Sequence, residues 1–223
     1  NKMNKELNPR QIKTIQNFWT WFQDNEKTIY YAVKLGINTD EVIKYFDQNL
    51  DYVSKRIECF FLENSSESQK HQIIFSAYGY KKLFPKLIAL GDAAPRLEHF
   101  SVQTFIKPLT PENYNQIPEV FNKIIQQSLI KLDDYNISSK KVKITLYLPE
   151  NFEFENEYQL FVSAELAIMF TLGEVNYKKH IADFEVKQIT KKTNGLLQLS
   201  ELPEFIEYLS KINYSRKLKI FFE

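Results

Sequence analysis

The chain is short of the residues that most often build a chemical site. Its 223 residues include 5 glycines, 3 histidines, 2 tryptophans and one cysteine, Cys59. With so few glycines it lacks the glycine-rich turns that open doubly wound nucleotide-binding folds. A single cysteine permits no intramolecular disulfide, which fits a reducing compartment. We therefore expect neither a nucleotide-binding fold nor a small disulfide-stabilised domain.

The chain also lacks an excess of charge and a long apolar run. Its 29 basic and 28 acidic residues leave a net charge of +1, which does not favour nucleic-acid binding. Residues 1–6 are polar, and the apolar stretch 160–172 contains Glu165 and is too short to cross a bilayer. We expect a cytoplasmic protein without nucleic-acid or membrane partners. Because the chain starts at Asn1, the removal of an upstream segment stays open.

No short catalytic, metal or phosphate motif is present. The sequence has neither of the glycine patterns that cradle phosphates, and its three histidines are not at metal-ligand spacing. His71 follows a polar run and is expected to be exposed. Cys59 alternates with apolar neighbours in a predicted strand, which is typical of a small buried hydrophobe and not of a nucleophile. The sequence thus predicts no metal and no cofactor.

Aromatic residues, by contrast, are abundant, with 18 phenylalanines and 13 tyrosines. They can fill a substantial core. Local signals predict a first helix over Pro9–Leu35, because Asn8 is a good N-cap, Pro9 suits the first helical position and Gly36 can end the helix. A capping-box pattern at Asn38 and Glu41 predicts a second helix.

Strand and helix patterns then recur in the same order in both halves. The first half has predicted strands over 56–62, 72–78 and 98–107, a hairpin loop over 64–68, and a short helix near 83–91. The second half has predicted strands over 128–132, 142–148, 181–189 and 218–222, and helices over 155–172 and 201–212. These patterns predict an α+β protein with two ββαβ-like units and antiparallel-rich sheets, preceded by two helices.

Three prolines mark the best candidate boundary, a connector over residues 108–118. We therefore expect an N-terminal part over residues 1–107 and a C-terminal part over residues 119–223. The same patterns are compatible with one continuous domain.

Two carboxylates interrupt apolar helical stripes. Glu26 lies in the stripe of the first helix, and Glu165 lies in the apolar helix over 155–172. A buried carboxylate with a raised pKa can act as a general acid or base, so these two are the candidate catalytic residues. The structural alternative is that each accepts a local hydrogen bond or pairs with a lysine. If the two helices packed together, the two carboxylates could also meet as a pair.

The first helix also carries a candidate interaction surface. Trp19 and Trp21 point in directions about 200° apart on a helix, so both cannot face one core. Trp21, with Phe18 beside it, could contact a partner, although packing inside the fold explains the pattern as well.

Basic residues cluster in the second half and offer a possible phosphate-contacting patch with Tyr177 and Tyr214. A charged rim that protects strand edges is the alternative. The clusters are Lys140, Lys141 and Lys143; Lys178 and Lys179; Lys187, Lys191 and Lys192; and Arg216, Lys217 and Lys219.

Several short motifs resemble those of a family of uncharacterised bacterial proteins. The first is Phe18-Trp19-x-Trp21-Phe22-x-x-Asn25-Glu26, and a second is Leu172-Gly173-Glu174. Three more motifs accompany them, Leu83-Phe84-Pro85, Ala94-Pro95 and Leu199-x-Glu201-Leu202-Pro203. The resemblance implies a bacterial intracellular origin and supplies no catalytic residue.

Three hypotheses of function follow. The first is a non-enzymatic intracellular interaction protein with a protein partner or a second copy of itself, in contact through a sheet edge or the Trp21 face. The second is an enzyme without short motifs that uses Glu26 or Glu165 as acid or base. The third is a toxin-neutralising immunity protein.

Overall fold

The computed structural model describes residues 7–64, 70–189 and 196–222, the last ten of these by their backbone alone. The chain divides into two compact units, unit 1 (Asn1–Ile106) and unit 2 (Lys107–Glu223).

Unit 1 begins with two helices, α1 (Pro9–Leu35) and α2 (Thr39–Val53). The predicted bounds of α1 are confirmed: Asn8 forms a capping box with Gln11, and Gly36 ends the helix with φ 65°. The predicted capping box of α2 is wrong. Asn38 has φ 50° and its side chain makes no capping hydrogen bond, because the short turn after Gly36 places this residue in the left-handed region.

A three-stranded sheet follows in the order β1-β2-β3. β1 (Glu58–Leu62) pairs antiparallel with β2 (His71–Ser76), and residues 65–68 of the predicted hairpin loop lie outside the described residues. After α3 (Phe84–Asp92), β3 (Phe100–Thr104) returns parallel to β2. The connection from β2 through α3 to β3 gives the ββαβ order that the sequence predicts.

Aromatic rings fill the core of unit 1. The buried rings come from α1, α2 and the sheet, and they meet mostly edge to face: Phe18, Trp19, Phe22, Phe46, Phe75 and Phe100. Such contacts add about 0.5 to 1.5 kcal/mol per pair to the area that each ring buries. Contacts between these rings therefore hold the helices against the sheet. Along α1 the buried rings are interspersed with exposed polar residues.

Unit 2 is built around a four-stranded sheet in the order β6-β5-β4-β7. Its strands are β4 (Leu129–Asn136), β5 (Lys141–Leu148), β6 (Ile181–Gln188) and β7 (Leu197–Gln198). Its helices are α4 (Glu119–Gln127), α5 (Glu157–Leu172), α6 (Glu174–His180) and α7 (Leu202–Phe222). β4 and β5 are antiparallel, and β6 lies parallel to β5, so the ββαβ order recurs.

The fold class is thus α+β with two N-terminal helices, as predicted. One prediction for unit 2 is wrong, because residues 218–222 continue helix α7 and do not form a strand. Three of these elements were not predicted: α4, α6 and the two-residue strand β7. Residues 218–222 are of types that favour strands, but they continue the helix that precedes them. Helix α6 is too short and too polar to show an apolar helical period.

Helix α5 is buried along its second half, from Ala164 and Leu166 to Leu172. At Gly173 the chain turns by 103° into α6. Gly173 has φ 75° and ψ 148°, and a Cβ at this position would lie 2.7 Å from Cδ of Pro108. Only glycine combines this backbone conformation with this close approach.

Candidate functional site

Glu26 serves as a local acceptor at the start of β3. Its Oε1 accepts a hydrogen bond from the backbone N–H of His99 at 2.7 Å, and the side chain is half-buried. His99 directly precedes β3, where a backbone donor at the strand end needs a partner. Glu26 therefore ties α1 to the sheet, which is the structural alternative that the sequence analysis set beside the acid–base role.

Two histidines and a tyrosine lie next to this carboxylate. Tyr30, one turn after Glu26, stacks on His99 with ring centroids 4.2 Å apart and an 18° interplanar angle. The ring of His71 lies 5.5 Å from that of Tyr30. His71 is 7% exposed, so the expectation that it is exposed is wrong. The cause is Tyr30, which packs over it from α1, and Phe100 from the neighbouring strand.

The hydrogen bonding of His71 favours its neutral form. Its Nδ1 accepts the backbone N–H of Asn64 at 2.9 Å, which places the ring proton on Nε2. Burial lowers the pKa of His71. The charge of Glu63 raises this pKa, whereas the charges of Lys34 and His99 lower it further. Among the described residues, no group of three or more His, Cys, Asp or Glu side chains is arranged to hold a metal ion.

Glu165 has a different partner, in unit 2. The hydroxyl of Tyr177 in α6 donates a hydrogen bond to Glu165 Oε1 at 2.9 Å. Burial raises the pKa of Tyr177, and the negative charges of Glu165 and Asp183, together with that hydrogen bond, raise it further. This contact joins α5 to α6 across the bend at Gly173. Glu26 and Glu165 belong to different units, and each has its own partner.

The sequence analysis missed a third carboxylate, Glu174. It is the first residue of α6 and is 0% exposed. A carboxylate in the first helical turn is stabilised by the helix dipole. Its burial depends on the turn at Gly173 and on the packing of unit 2, so no local pattern predicts it. The one sequence signal at this position is the Leu172-Gly173-Glu174 motif.

The aromatic residues proposed as an interaction surface belong mainly to the core of unit 1. Phe18 is 2% exposed, which removes it from any surface of the folded unit. Trp19 is also buried, and its Nε1 donates to the carbonyl of Leu90 at 2.8 Å. Trp21 is half-buried and packs against Phe46, with centroids 6.2 Å apart. Because α2 covers this side of α1, the second tryptophan also packs inside the unit.

Cys59 lies half-buried in β1 with an acidic environment. Burial raises the pKa of its thiol well above the usual value, and the charges of Asp47 and Glu58 add to the effect. A thiol of this kind is a poor nucleophile, because the thiolate is the reactive form. The residue behaves as the small hydrophobe that the sequence predicts.

The acidic neighbours of Cys59 form an exposed surface, here named the α2 face and made of Asp47, Asp51 and Glu58, with Tyr52 beside Asp51. Burial raises the pKa of Asp47, and Asp51 raises it further; burial, Asp47 and Asp51 raise the pKa of Glu58. Among the side chains that the structure describes, none forms an ion pair with these three carboxylates. The α2 face therefore carries uncompensated negative charge.

Two exposed tyrosines also belong to α2. Tyr45 and Tyr52 are 52% and 76% exposed. They are seven residues apart and lie on the same side of α2, whereas Asp47, two residues after Tyr45, points about 200° away from it. Tyr52 and Asp51 are about 100° apart and both border the outer side of the helix, so Tyr52 is the ring that lies beside the carboxylates.

Comparisons with protein-family models, with curated proteins and with solved structures each find no match to the chain. Within the described ranges, no helix is by itself both long and apolar enough to cross a bilayer, and only the bent pair α5–α6 meets the length and composition test together.

Proposed function

We propose that this chain is a non-enzymatic bacterial interaction protein, working in the cytoplasm, whose α2 face binds a cationic protein partner. The observation that supports this proposal is the mutual repulsion of Asp47, Asp51 and Glu58 on an exposed surface that Tyr52 borders. Such a surface lowers the stability of the free protein and gains most when a positive surface covers it.

Like charges lie close together on the α2 face. Asp47 and Asp51 are one helical turn apart, where like charges destabilise a helix. A lysine or arginine side chain from a partner would convert this repulsion into attraction and would also speed association. The carboxylates of the α2 face destabilise the free protein through their repulsion, and they favour binding because a cationic partner relieves that repulsion.

Tyr52 supplies the apolar part of the contact. A tyrosine ring offers a large contact area at a low cost in side-chain entropy, and its hydroxyl can bond at the edge of an interface. Tyr52 is 76% exposed and directly follows Asp51 in the sequence, about 100° away around α2. A partner that covers the outer side of α2 would therefore meet the Tyr52 ring together with the Asp51 carboxylate.

The other hypotheses fit this surface less well. A two-fold dimer through the α2 face would bring two negatively charged surfaces together, because both subunits use the same patch. An enzyme with Glu26 or Glu165 has less support, since one oxygen of each carboxylate is held by a structural donor. A toxin-neutralising role is the special case in which the cationic partner is a toxin domain.

The test is a comparison of partners bound by two forms of the full chain. The variant Asp47→Asn/Asp51→Asn/Glu58→Gln removes the charge of the α2 face and keeps its shape. Tagged wild-type protein and variant are incubated with bacterial lysate, and bound proteins are quantified by mass spectrometry. We expect a basic protein that the wild type retains and the variant loses, with an affinity that falls as salt rises.

A matched control removes the same number of charges from unit 2. The variant Glu150→Gln/Glu153→Gln/Glu155→Gln neutralises three exposed carboxylates and should retain the partner. Loss of the partner in this control, or retention in the α2-face variant, would contradict the proposal. A folded wild type that retains no basic protein would contradict it as well.

A further inference from the structure

Unit 2 brings together positive side chains from two segments that are far apart in the sequence. Lys140 and Lys141 lie where the turn after β4 enters β5, and Lys178, Lys179 and His180 form the last turn of α6. These five residues are here named the His180 patch. Two contacts fix the segments together: Lys141 Nζ donates to the carbonyl of Lys178 at 3.2 Å, and His180 Nδ1 lies 3.2 Å from the carbonyl of Lys140.

Within the described part of the chain, the positive side chains of the patch form no ion pair. No carboxylate there lies within ion-pair distance of any of the five residues. The carboxylates next along the sheet, Asp134 and Asp183, are register partners of Lys143 and not of a patch residue.

The positive charges of the patch act on the pKa of His180. Burial lowers its pKa, and the charges of Lys179, Lys140 and Lys141 lower it further, although its contact with the Lys140 carbonyl acts in the opposite direction. The dipole of α6 accounts for positive residues in its own last turn. It does not account for two more lysines that arrive from another segment.

The chemistry of the patch suits a small anion with several charged oxygens. Ammonium groups bind phosphate as point charges, and protonated His180, whose Nδ1 faces the Lys140 carbonyl, can add a directed hydrogen bond from Nε2–H. The positive surface ends at β6, because this strand follows His180 and carries the carboxylates Asp183 and Glu185. These carboxylates would oppose a long nucleic-acid strand more than they would oppose a small ligand.

We propose that the His180 patch is a binding site for a small free anion that carries phosphate groups. The anion would replace the mutual repulsion of the lysines by attraction. It would also favour protonated His180, so that binding and protonation assist each other, as linkage requires.

Nuclear magnetic resonance of the three histidines tests the proposal directly. Pyrophosphate is titrated into the full chain at constant ionic strength, and the ring Cε1–H signals of His71, His99 and His180 are followed. We expect a saturable shift of His180 with a rise of its pKa, and unchanged signals for His71 and His99. A non-saturable change, or an equal change of all three signals, would mean ionic screening only and would overturn the proposal.

Paired variants locate the effect. Lys140→Ala/Lys179→Ala should bind pyrophosphate roughly tenfold more weakly. The control Lys131→Ala/Lys187→Ala removes two lysines of unit 2 that already pair with Asp133 and Glu185, and it should bind as the wild type does. An equal loss in both variants would contradict a defined site.

Two further measurements distinguish the type of anion. Sulfate keeps its charge between about pH 6 and 8, so its affinity should rise towards pH 6 in the wild type and not in His180→Gln. Vesicles that contain phosphatidic acid serve as the second probe. Patch-dependent sedimentation with these vesicles would overturn the assignment to a free anion and indicate a lipid headgroup.

Discussion

Asp47 and Asp51 lie one helical turn apart on α2, and the charge of Asp51 adds to burial in raising the pKa of Asp47. Among the described side chains neither has an ion pair. The folded protein therefore holds a repulsion that a neutral residue would remove. The effect of removing this repulsion can be measured on the protein alone.

Asp47→Asn and Asp51→Asn should each stabilise unit 1 at pH 7, by about 0.2 to 0.5 kcal/mol. Because the pKa of Asp47 is raised in the folded state, its charge destabilises the fold, and the gain from Asp47→Asn should vanish near about pH 3, where the carboxyl is protonated in both states. Urea unfolding followed by tryptophan fluorescence is the measurement. Both tryptophans, Trp19 and Trp21, belong to unit 1, so the signal reports on this unit alone.

Asp40 offers a control of opposite sign. It lies in the first turn of α2, where a negative charge is stabilised by the helix dipole. Asp40→Asn should therefore lower the stability of unit 1 at pH 7. If Asp47→Asn lowers it by as much, the repulsion on the α2 face does not determine the stability.

The pH dependence of unit 1 should depend on His71. Its pKa is lowered in the folded state, first by burial and then by Lys34 and His99. As the pH falls through about 6.5, the unfolded chain binds a proton before the folded protein does. The free energy of unfolding should then decrease until the pH is below the folded-state pKa, where the loss is complete.

Tryptophan fluorescence during unfolding at a series of pH values measures this decrease. The variant His71→Gln keeps a side-chain acceptor for the N–H of Asn64 and cannot be protonated in this range, so its stability should change less between about pH 7 and 5. His180→Gln, with its substitution in unit 2, is the control and should keep the wild-type decrease. An unchanged profile in His71→Gln would exclude His71 as the cause.

The sequence predicted those features whose determinants are neighbours in the chain. Asn8, Pro9 and Gly36 specify both ends of α1 locally, and the structure has these ends. The burial of His71 is not local, because Tyr30, about forty residues away, covers it. The candidate sites likewise depend on residues that are distant in the sequence.

The His180 patch illustrates this limit. The sequence analysis noted its lysines as separate clusters, and only the parallel pairing of β5 with β6 brings the two segments together. The other basic clusters did not gain such support: Lys191 and Lys192 lie outside the described residues, and Arg216, Lys217 and Lys219 are described by their backbone alone. The repulsion on the α2 face likewise depends on Glu58, which reaches Asp47 through the packing of β1 near α2.

The contact between Glu165 and Tyr177 should stabilise unit 2. Tyr177→Phe removes the donor of a 2.9 Å hydrogen bond and leaves a half-buried carboxylate without it, so the loss should be about 1 to 3 kcal/mol. Hydrogen exchange of α5 and α6, read by mass spectrometry, measures the stability of this unit. Tyr158→Phe changes a tyrosine of α5 that is 78% exposed and should have no effect.

A double-mutant cycle separates this contact from a general effect of the substitutions. Glu165→Gln/Tyr177→Phe should cost less than the sum of its single variants, because they remove the same interaction. Additive losses would indicate that the two side chains act independently.

Gly173 should be among the least replaceable residues of the chain. Gly173→Ala combines a backbone conformation that is nearly restricted to glycine with a Cβ 2.7 Å from Pro108 Cδ, so we expect a loss of about 3 kcal/mol or more in unit 2. Gly36→Ala is the matched comparison in unit 1. Its φ is also positive, at 65°, but the nearest atom to the added Cβ, Thr39 Oγ1, is 4.0 Å away. The strain alone should cost about 1 to 2 kcal/mol. Thermal unfolding and hydrogen exchange of each unit measure both losses, and equal losses would show that the contact with Pro108 does not contribute.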